Sequence, residues 1–382
     1  MRATLTLCTL VLLTGCEPAG DSNPYAAESN TTANAVQAQD LKTPLSKHEL
    51  GAFSQNYLQQ ARKQCASALF AAQQLQQASD ELLKAPTIEA LEKAQTQWQK
   101  AHRSWLRCDL FSGNQGPLEQ PMAEDPFSLK DRLASWPISP GYVDAMPGYP
   151  SGGLVYSADI AIKRASLLSQ HQLTAPNEAS IGLYPMEVLL FGINDSRSPE
   201  ELLVLPPQPD QLDSQTRRRD YLTVLSSLYV SDLRELVTRW DPLIASYPNE
   251  IKRQSADQQT QQLVSALQQR LEKISKDARE ISLGESDYSS RHQERLSAPL
   301  NALEIFAASN QANHPQTATD STPAADSQLS IRIKTLAESL SKLSTETDQE
   351  ATTAALSELQ TLVQELPQLL ADASNPVTAS AQ

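Results

Sequence analysis

An apolar residue recurs every three or four positions in LGAFSQNYLQQARKQCASALFAAQQL, residues 50–75. The same spacing recurs in IEALEKAQTQWQKAHRSWLRC, residues 88–108, directly after Pro86 and Thr87. Such a spacing lines one face of an α-helix, and a proline followed by a threonine is typical of a helix end and a new N-cap. The two stretches therefore predict an antiparallel helical hairpin.

Further helical stripes follow in the C-terminal half of the chain. Residues 222–247 and 263–281 each predict one long helix, and residues 296–306 predict a third, which Pro299 either kinks or forces to start late. Two last helices are predicted over residues 329–340 and 356–370. No alternating strand pattern competes, so the predicted class is all-α, with two antiparallel, four-helix-bundle-like domains.

Two segments rich in proline interrupt the helices. Residues 113–153 hold seven of the 24 prolines and six of the 12 glycines and predict a long loop, which contains one helical turn at Ser128–Ser135. Helix is expected to return near Ala158, and long irregular segments of this kind are often functional. The second segment, Leu205–Pro209, predicts a domain boundary. The predicted domains are 45–204 and 213–373, the latter with a flexible linker at 313–327.

The N-terminus has the layout of an export signal. An apolar run from Ala3 to Leu13 leads into Leu13-Thr14-Gly15-Cys16, which is a lipobox. We therefore predict a signal peptide over residues 1–15, a lipid on Cys16 and a disordered linker over 16–44. The run is shorter than the roughly 18 apolar residues of a membrane span. Because Glu17 replaces the aspartate that commonly marks inner-membrane retention, we expect anchoring in the outer membrane, facing the periplasm.

Two cysteines remain in the mature chain, Cys65 and Cys108. Counted from Pro86, Cys65 lies 21 residues before the turn and Cys108 lies 22 residues after it. At equal rise per residue they reach the same height on facing helices. In an oxidising compartment this predicts a disulfide; the alternative is a pair of buried free thiols.

The charge balance limits the partners. The chain has 31 Lys and Arg against 45 Asp and Glu, a net charge of -14. Such a chain repels phosphate backbones, which excludes nucleic acid as an expected partner. The excess carboxylates either attract cations or form a solvated acidic surface.

One apolar segment carries an isolated carboxylate. In SIGLYPMEVLLFG, residues 180–192, Glu187 is surrounded by apolar side chains. A buried glutamate there needs a cation or hydrogen-bond donors, whereas an exposed one fits an ordinary amphipathic helix, and both alternatives stay open. Tyr184 shares the helix face of Glu187 unless Pro185 is the first helical residue and Tyr184 the cap.

This segment resembles the GxHxxE region of imelysin-like proteins, which include insulin-cleaving membrane proteases and iron-regulated protein A homologues. Gly182 and Glu187 match, but Tyr184 stands in place of the histidine. Other resemblances follow in family order: residues 98–111 with Asp109 at an acidic position, residues 134–144 with Asp144 after a Trp-Pro loop, and residues 218–240 at the start of the second bundle.

The resemblance implies two four-helix-bundle domains with a site at their interface, a cell-envelope location and a role in iron uptake or homeostasis, with envelope iron-uptake proteins as partners. Some members have been classed as metallopeptidases. A zinc hydrolase needs about three protein ligands and an open position for water, and this segment lacks its histidine. We therefore expect a non-enzymatic protein that binds a metal or an iron-linked ligand or partner, with a scaffold lacking metal as the alternative and a metallopeptidase as the third choice.

A metal site in this chain would be rich in oxygen ligands, as a hard cation or iron requires, and the expected metal is iron or calcium. The candidates are Asp109, Asp144, Tyr184 and Glu187, with His292 from a polar cluster late in the second bundle. As an alternative, Asp109 and Glu187 pair with Arg107 or Arg219 across the domain interface. We expect the other four histidines to be solvated: His48, His102, His171 and His314.

Overall fold

The computed structural model describes residues 47–113, 115–122, 126–206, 212–282, 291 and 294–312, and isolated positions between 354 and 368. Within these ranges the chain forms α-helices and short 3-10 turns but no β-strand, which confirms the all-α class. In chain order the helices are α1 (Lys47–Lys84), α2 (Ile88–Asp109), α3 (Leu129–Ala134), α4 (Pro140–Val143), α5 (Arg164–Gln170), α6 (Leu183–Phe191), α7 (Ser214–Arg239), α8 (Ser246–Arg253), α9 (Ala256–Ser282) and α10 (Glu294–Ala312).

The predicted hairpin is formed by α1 and α2. Thr87 caps α2, because its side-chain oxygen accepts a hydrogen bond from the backbone N–H of Ala90 at 3.2 Å. The apolar stripes of the two helices are buried against each other. Cys65 and Cys108 are joined by a disulfide with their Cα atoms 4.7 Å apart. The predicted disulfide is confirmed, and the alternative of two free thiols is wrong.

The long loop after α2 is only partly irregular. The helical turn predicted at Ser128–Ser135 is α3, and its cap Ser128 accepts a hydrogen bond from the N–H of Asp131 at 3.1 Å. The short helix α4 was not predicted.

The expected return to helix near Ala158 is wrong, because the next α-helix, α5, begins only at Arg164. Arg217 donates to four backbone carbonyls between Leu154 and Ile160 at 2.6 to 2.8 Å. This stretch contains only a 3-10 turn at Leu154–Tyr156, and Arg217 ties its carbonyls to α7.

The single long helix predicted over residues 222–247 is also wrong. It is divided into α7 and α8 by a turn at Asp241 and Pro242. Proline has no backbone N–H and disfavours the helical conformation of the residue before it. Trp240 and Tyr247 are nevertheless both buried and lie edge to face with ring centroids 5.6 Å apart, whereas Leu243 in the turn between them is exposed.

Pro299 lies inside α10, which begins five residues earlier at Glu294. The helix therefore does not start late at the proline. The described positions between 354 and 368 are helical, as predicted, and Leu362 among them is fully buried.

The helices pack around α1, which contacts α2, α7, α9 and α10. Residues 44–382 form one compact unit. The division into bundles at 45–204 and 213–373 is thus not confirmed and stays a prediction. No helix in the described ranges has the length and apolarity of a membrane span. The predicted signal peptide, Cys16, the linker at 313–327 and the helix at 329–340 lie outside the described residues.

Candidate functional site

The segment that carries the lone carboxylate forms α6, whose nine residues are all buried. Gly182 precedes the helix at φ +96°, and a Cβ atom there would lie 2.7 Å from the backbone oxygens of Arg132 and Leu133. Only glycine fits this entry to the helix. Because α6 begins at Leu183, Pro185 is its third residue and Tyr184 is helical, not the cap. Tyr184 and Glu187 therefore share one face, as one of the two alternatives predicted.

Tyr184 is completely buried at the contact of α6 with α2. Its hydroxyl oxygen lies 3.1 Å from Nε2 of His102 and accepts a hydrogen bond from Arg295 on α10. Burial raises the pKa of Tyr184 well above its ordinary value, although the charge of Arg295 opposes this. The tyrosine is thus a neutral hydrogen-bonding group that joins three helices.

His102 is fully buried, so the expectation that it is solvated is wrong. Its ring stacks on Trp98 with centroids 4.9 Å apart, and its Nδ1 lies 3.7 Å from Oε2 of Glu294. Burial lowers the pKa of His102, and Glu294 offsets this only in part. The spacing held a signal, because His102 lies four residues after Trp98 and three before Trp105 and so belongs to the buried stripe of α2.

A second histidine expected to be solvated, His171, is also buried. It follows α5 directly, and its ring lies edge to face with Phe127 at 4.7 Å between centroids. Of the other two, His314 lies outside the described residues, and His48 is helical in α1.

Glu187 has no exposed surface, and the alternative of an exposed carboxylate is wrong. Its Oε1 accepts a hydrogen bond from Nε of Arg291 at 2.9 Å. The same guanidinium group lies over the ring of Phe191, 3.7 Å from the centroid, and also pairs with Asp195. A buried glutamate needs a cation beside it, and here the cation is an arginine.

Asp109 lies at the end of α2 and is paired with Arg270 of α9, with Oδ2 and Nη2 2.6 Å apart. Lys130 approaches Oδ1 at 3.5 Å. Burial alone would raise the pKa of Asp109, but the charges of Arg270 and Lys130 outweigh it and lower the pKa to about 2. Asp109 is also close enough to Tyr184 for its charge to act on the hydroxyl.

Arg295 connects these groups. Its Nη2 donates to Oδ2 of Asp277 at 2.7 Å, and its guanidinium lies 4.0 Å from the centroid of the Trp136 ring. Asp277 is fully buried, and the charges of Arg295 and Arg270 hold its pKa below its ordinary value against the effect of burial. Helices α2, α6, α9 and α10 therefore meet in one buried network of carboxylates, arginines, His102 and Tyr184.

Asp144 has a different set of partners. Arg218 of α7 donates to both of its oxygens, at 2.7 and 3.0 Å, and Arg197 donates to Oδ2 at 2.7 Å. These charges lower the pKa of Asp144, although burial opposes them. Of the predicted site residues, the structure thus brings Asp109, Tyr184 and Glu187 into one network, whereas Asp144 is held by its own arginines.

The other predictions about the site concern His292, the arginine partners of the carboxylates and a metal-ligand group. His292 lies outside the described residues. Asp109 and Glu187 are each paired with an arginine, but the predicted partners Arg107 and Arg219 are wrong: the arginines are Arg270 and Arg291. Arg219, one of the two expected partners, donates instead to the carbonyl of Leu202. In the part of the chain that the structure describes, no three His, Cys, Asp or Glu side chains are grouped as metal ligands would be.

One known family model matches the part of the chain that forms the buried network. The imelysin model, described as peptidase family M75, matches residues 61–373. The chain belongs to the imelysin family. That match includes every helix that contributes to the network, and it confirms the family resemblance of the sequence.

Two solved structures share the imelysin fold of this chain. One is a protein from Parabacteroides distasonis assigned as an iron-regulated protein A precursor, with a TM-score of 0.59 and 14% identity over 87% of this chain and 96% of that one. The other is an imelysin-like protein from Psychrobacter arcticum, with a TM-score of 0.56 and 16% identity over 85% and 95% of the two chains. No curated protein matches the chain. At these identities the similarity establishes the fold of this imelysin.

Proposed function

We propose that this imelysin is a non-enzymatic lipoprotein of the cell envelope that faces the periplasm and binds an iron-linked ligand or partner. The lipobox at Cys16 supports the envelope location, and the relative assigned as an iron-regulated protein supports the link to iron. The observation that carries the non-enzymatic part is the ion pair between Glu187 and Arg291. A catalytic zinc needs about three protein ligands and a position open to water, whereas the motif glutamate is buried against a guanidinium and Tyr184 replaces the motif histidine.

The same argument bears on a bare metal ion. A cation bound by Asp109 or Glu187 must displace Arg270 or Arg291, whose charges already neutralise these carboxylates. The network is therefore neutralised by the chain's own arginines. This favours a larger ligand or a partner over a simple ion as the bound species.

A metal site remains the second candidate because of one observation. The charges of Glu187 and Glu294 both act on His102, whose Nε2 faces the Tyr184 hydroxyl at 3.1 Å. An imidazole, a phenol and two carboxylates are donors that iron accepts, but among the described residues they are not grouped as metal ligands, so this site requires them to move together when the metal binds. In this form the site includes His102 in addition to the predicted candidates Tyr184 and Glu187, and the imidazole favours iron over calcium, which takes oxygen ligands.

Calorimetric titration separates the two candidates. The purified full chain is titrated with ferrous, ferric and calcium ions alone, and with a ferric trihydroxamate complex, which carries no carboxylate. Our proposal expects heat of binding only with the complex. Binding of a bare ion by the wild type that is lost in Glu187→Gln and kept in Glu92→Gln, an exposed control on α2, would favour the metal site. Binding of neither kind leaves a scaffold without metal.

Two further measurements address catalysis and anchoring. Incubation with a peptide library is expected to give no cleavage, and cleavage that a chelator abolishes would favour the metallopeptidase instead.

Cys16→Ala is expected to move the protein from the membrane fraction to the soluble fraction, whereas Ser22→Ala leaves it in the membrane fraction. Mass spectrometry of the N-terminal peptide detects the acyl chains directly.

A further inference from the structure

A cavity of about 280 Å³ lies between the loop after α4 and the start of α7. Its inner wall carries two arginines, Arg197 and Arg218, whose side chains are only 4% and 5% exposed. Buried arginines are rare unless their charge is paired with an opposite charge. The cavity does not involve the network around Tyr184.

Asp144 fixes the orientation of both guanidinium groups. Its Oδ2 accepts from Nε of Arg218 and from Nη2 of Arg197, both at 2.7 Å. Its Oδ1 accepts from Nη2 of Arg218 and from the N–H of Ala145. Each oxygen of Asp144 thus already accepts two hydrogen bonds, and the carboxylate is 1% exposed. Asp144 is a structural counter-ion with little capacity left for a ligand.

The outer Nη1 atoms of the two arginines meet a different carboxylate. Among the described residues, Glu201 is the side chain that approaches them: its Oε2 pairs with Nη1 of Arg197 and lies 3.9 Å from Nη1 of Arg218. Glu201 is 37% exposed, in contrast to Asp144. Nε of Arg197 is buried and has no hydrogen-bond partner among the described residues. The two guanidinium groups are therefore held by one buried carboxylate, Asp144, and one partly exposed carboxylate, Glu201.

The rest of the lining is largely apolar. It includes Met146, Ile193 and the exposed Pro147 and Pro150, with Ser196 as a polar exception. The Tyr156 hydroxyl, which accepts from Arg218 at 2.9 Å, adds one polar group. Pockets of this kind orient a ligand by a few polar groups and bury its apolar part, and a guanidinium group recognises a carboxylate through paired hydrogen bonds.

We propose that this cavity binds a small organic acid, with its carboxylate between Arg197 and Arg218 in the place of Glu201 and its short apolar tail against Met146 and Ile193. Glu201 is then an internal competitor that occupies the site until the acid displaces it. The cavity is slightly smaller than most ligand pockets, which favours a short aliphatic acid. This inference is independent of the proposed function, since it needs neither iron nor the lipid anchor.

The test is isothermal titration calorimetry of the full chain at pH 7 with 4-methylpentanoate, its uncharged amide and inorganic phosphate. We expect the acid to bind at least roughly tenfold more tightly than the amide, because only the acid forms charge-assisted hydrogen bonds. Equal binding of the amide would refute recognition by the arginines. Phosphate binding as tight as that of the acid would refute the apolar half of the site.

Glu201→Gln removes the charge of the competitor and keeps an acceptor for the N–H of Ser198, which Glu201 caps. We expect this variant to bind the acid on the order of tenfold more tightly than the wild type. Glu200→Gln, its exposed neighbour outside the cavity, is the matched control and should leave the affinity unchanged. Equal affinity of Glu201→Gln and the wild type, or no binding by either, would overturn the proposal.

Ile193→Trp places a bulky apolar side chain in the cavity and leaves both arginines in the sequence. Binding of the acid should be lost while the unfolding temperature stays near that of the wild type. If this variant still binds the acid with unchanged affinity, the acid lies elsewhere and the proposal is wrong. Because no metal enters these titrations, their outcome is separate from that of the iron-binding tests.

Discussion

The Nε2 atom of His102 lies 3.1 Å from the hydroxyl oxygen of Tyr184. Tyr184 stands where the imelysin motif has a histidine, and His102 brings an imidazole to the same place from α2, 82 residues earlier in the chain. An imidazole from another helix therefore lies next to the tyrosine that replaces the motif histidine. The hydroxyl also accepts from Arg295 and so connects α2, α6 and α10.

Tyr184→Phe should test how much this connection stabilises the fold. The change removes a buried acceptor from Arg295 and a partner from His102, and we expect a loss of about 1–3 kcal/mol in the free energy of unfolding. Urea denaturation followed by circular dichroism measures it. Tyr149→Phe, at a side chain that is 70% exposed, is the control and should change nothing. An unchanged midpoint in Tyr184→Phe would contradict a stabilising role.

The ion pair between Arg132 and Asp232 joins α3 to α7, with both side chains at most 2% exposed and bonds of 2.7 and 3.0 Å. Arg132→Met should cost about 3–5 kcal/mol, because it leaves Asp232 buried without its main cation. Arg62→Met, which breaks the pair with Asp241 at a side chain that is 46% exposed, should cost at most about 1 kcal/mol. Similar losses in the two variants, measured by urea unfolding, would show that burial is not the decisive factor.

The double variant Arg132→Met with Asp232→Leu extends this test. Replacing both members of a buried pair by apolar side chains is often near neutral. We therefore expect the double variant to recover most of the stability lost in Arg132→Met. A further loss in the double variant would mean that the pair stabilises the fold beyond the cost of leaving one charge unpaired.

The disulfide between Cys65 and Cys108 closes a loop with a sequence separation of 43 residues. On the loop-entropy model its removal by Cys65→Ala with Cys108→Ala should cost about 4 kcal/mol. The free energy of unfolding of the wild type should fall when unfolding is measured in the presence of a reductant. That of the double variant should not change. Reductant sensitivity that persists in the double variant would point to another bond.

Acid stability should depend on Asp109. Its pKa is about 2 in the folded protein against an ordinary value of 3.8. A carboxyl with a lowered pKa contributes stability that is fully present above the unfolded value and is lost as the pH falls through the folded one. Between pH 5 and pH 2 the wild type should therefore lose about 2 kcal/mol more than Asp109→Asn does. Urea midpoints across this range measure the difference. Asp80→Asn, at an exposed position of α1, should keep the wild-type slope.

Gly182 precedes α6, and its backbone has φ +96° with two carbonyl oxygens 2.7 Å from the position of a Cβ. Gly182→Ala should therefore destabilise by at least about 2 kcal/mol, through both backbone strain and a clash. Gly148→Ala provides the matched control, since Gly148 also has a positive φ but nothing within 4 Å of a Cβ. It should cost about 1 kcal/mol, from strain alone. Equal losses in the two variants would show that the nearby backbone oxygens are not the reason why position 182 requires a glycine.

Parts of the candidate site could be predicted because they depend on local spacing. The i, i+3 relation of Tyr184 and Glu187 follows from helix geometry, and the burial of Glu187 was one of two open alternatives. His102 could also have been found, since it lies on the stripe of Trp98 and Trp105. Its polar character alone led to the wrong expectation of a solvated side chain.

The arginines of the network could not be predicted from spacing. Arg291 lies 104 residues from Glu187, and Arg270 lies 161 residues from Asp109. A long, flexible side chain gives no periodic signal of its partner. The choice of Arg270 and Arg291 over Arg107 and Arg219 depends on how the helices are placed relative to one another.

By itself, the sequence determined the all-α class, the α1–α2 hairpin and the disulfide within it, because these depend on periodicity, capping and equal rise along two neighbouring helices. Only the tertiary structure decided which carboxylate meets which arginine, that Asp144 lies beside a cavity with Arg197 and Arg218, and that His102 reaches Tyr184. Helix periodicity fixes which face of an element is buried, whereas the partner of a buried charge is fixed by contacts between elements far apart in the chain.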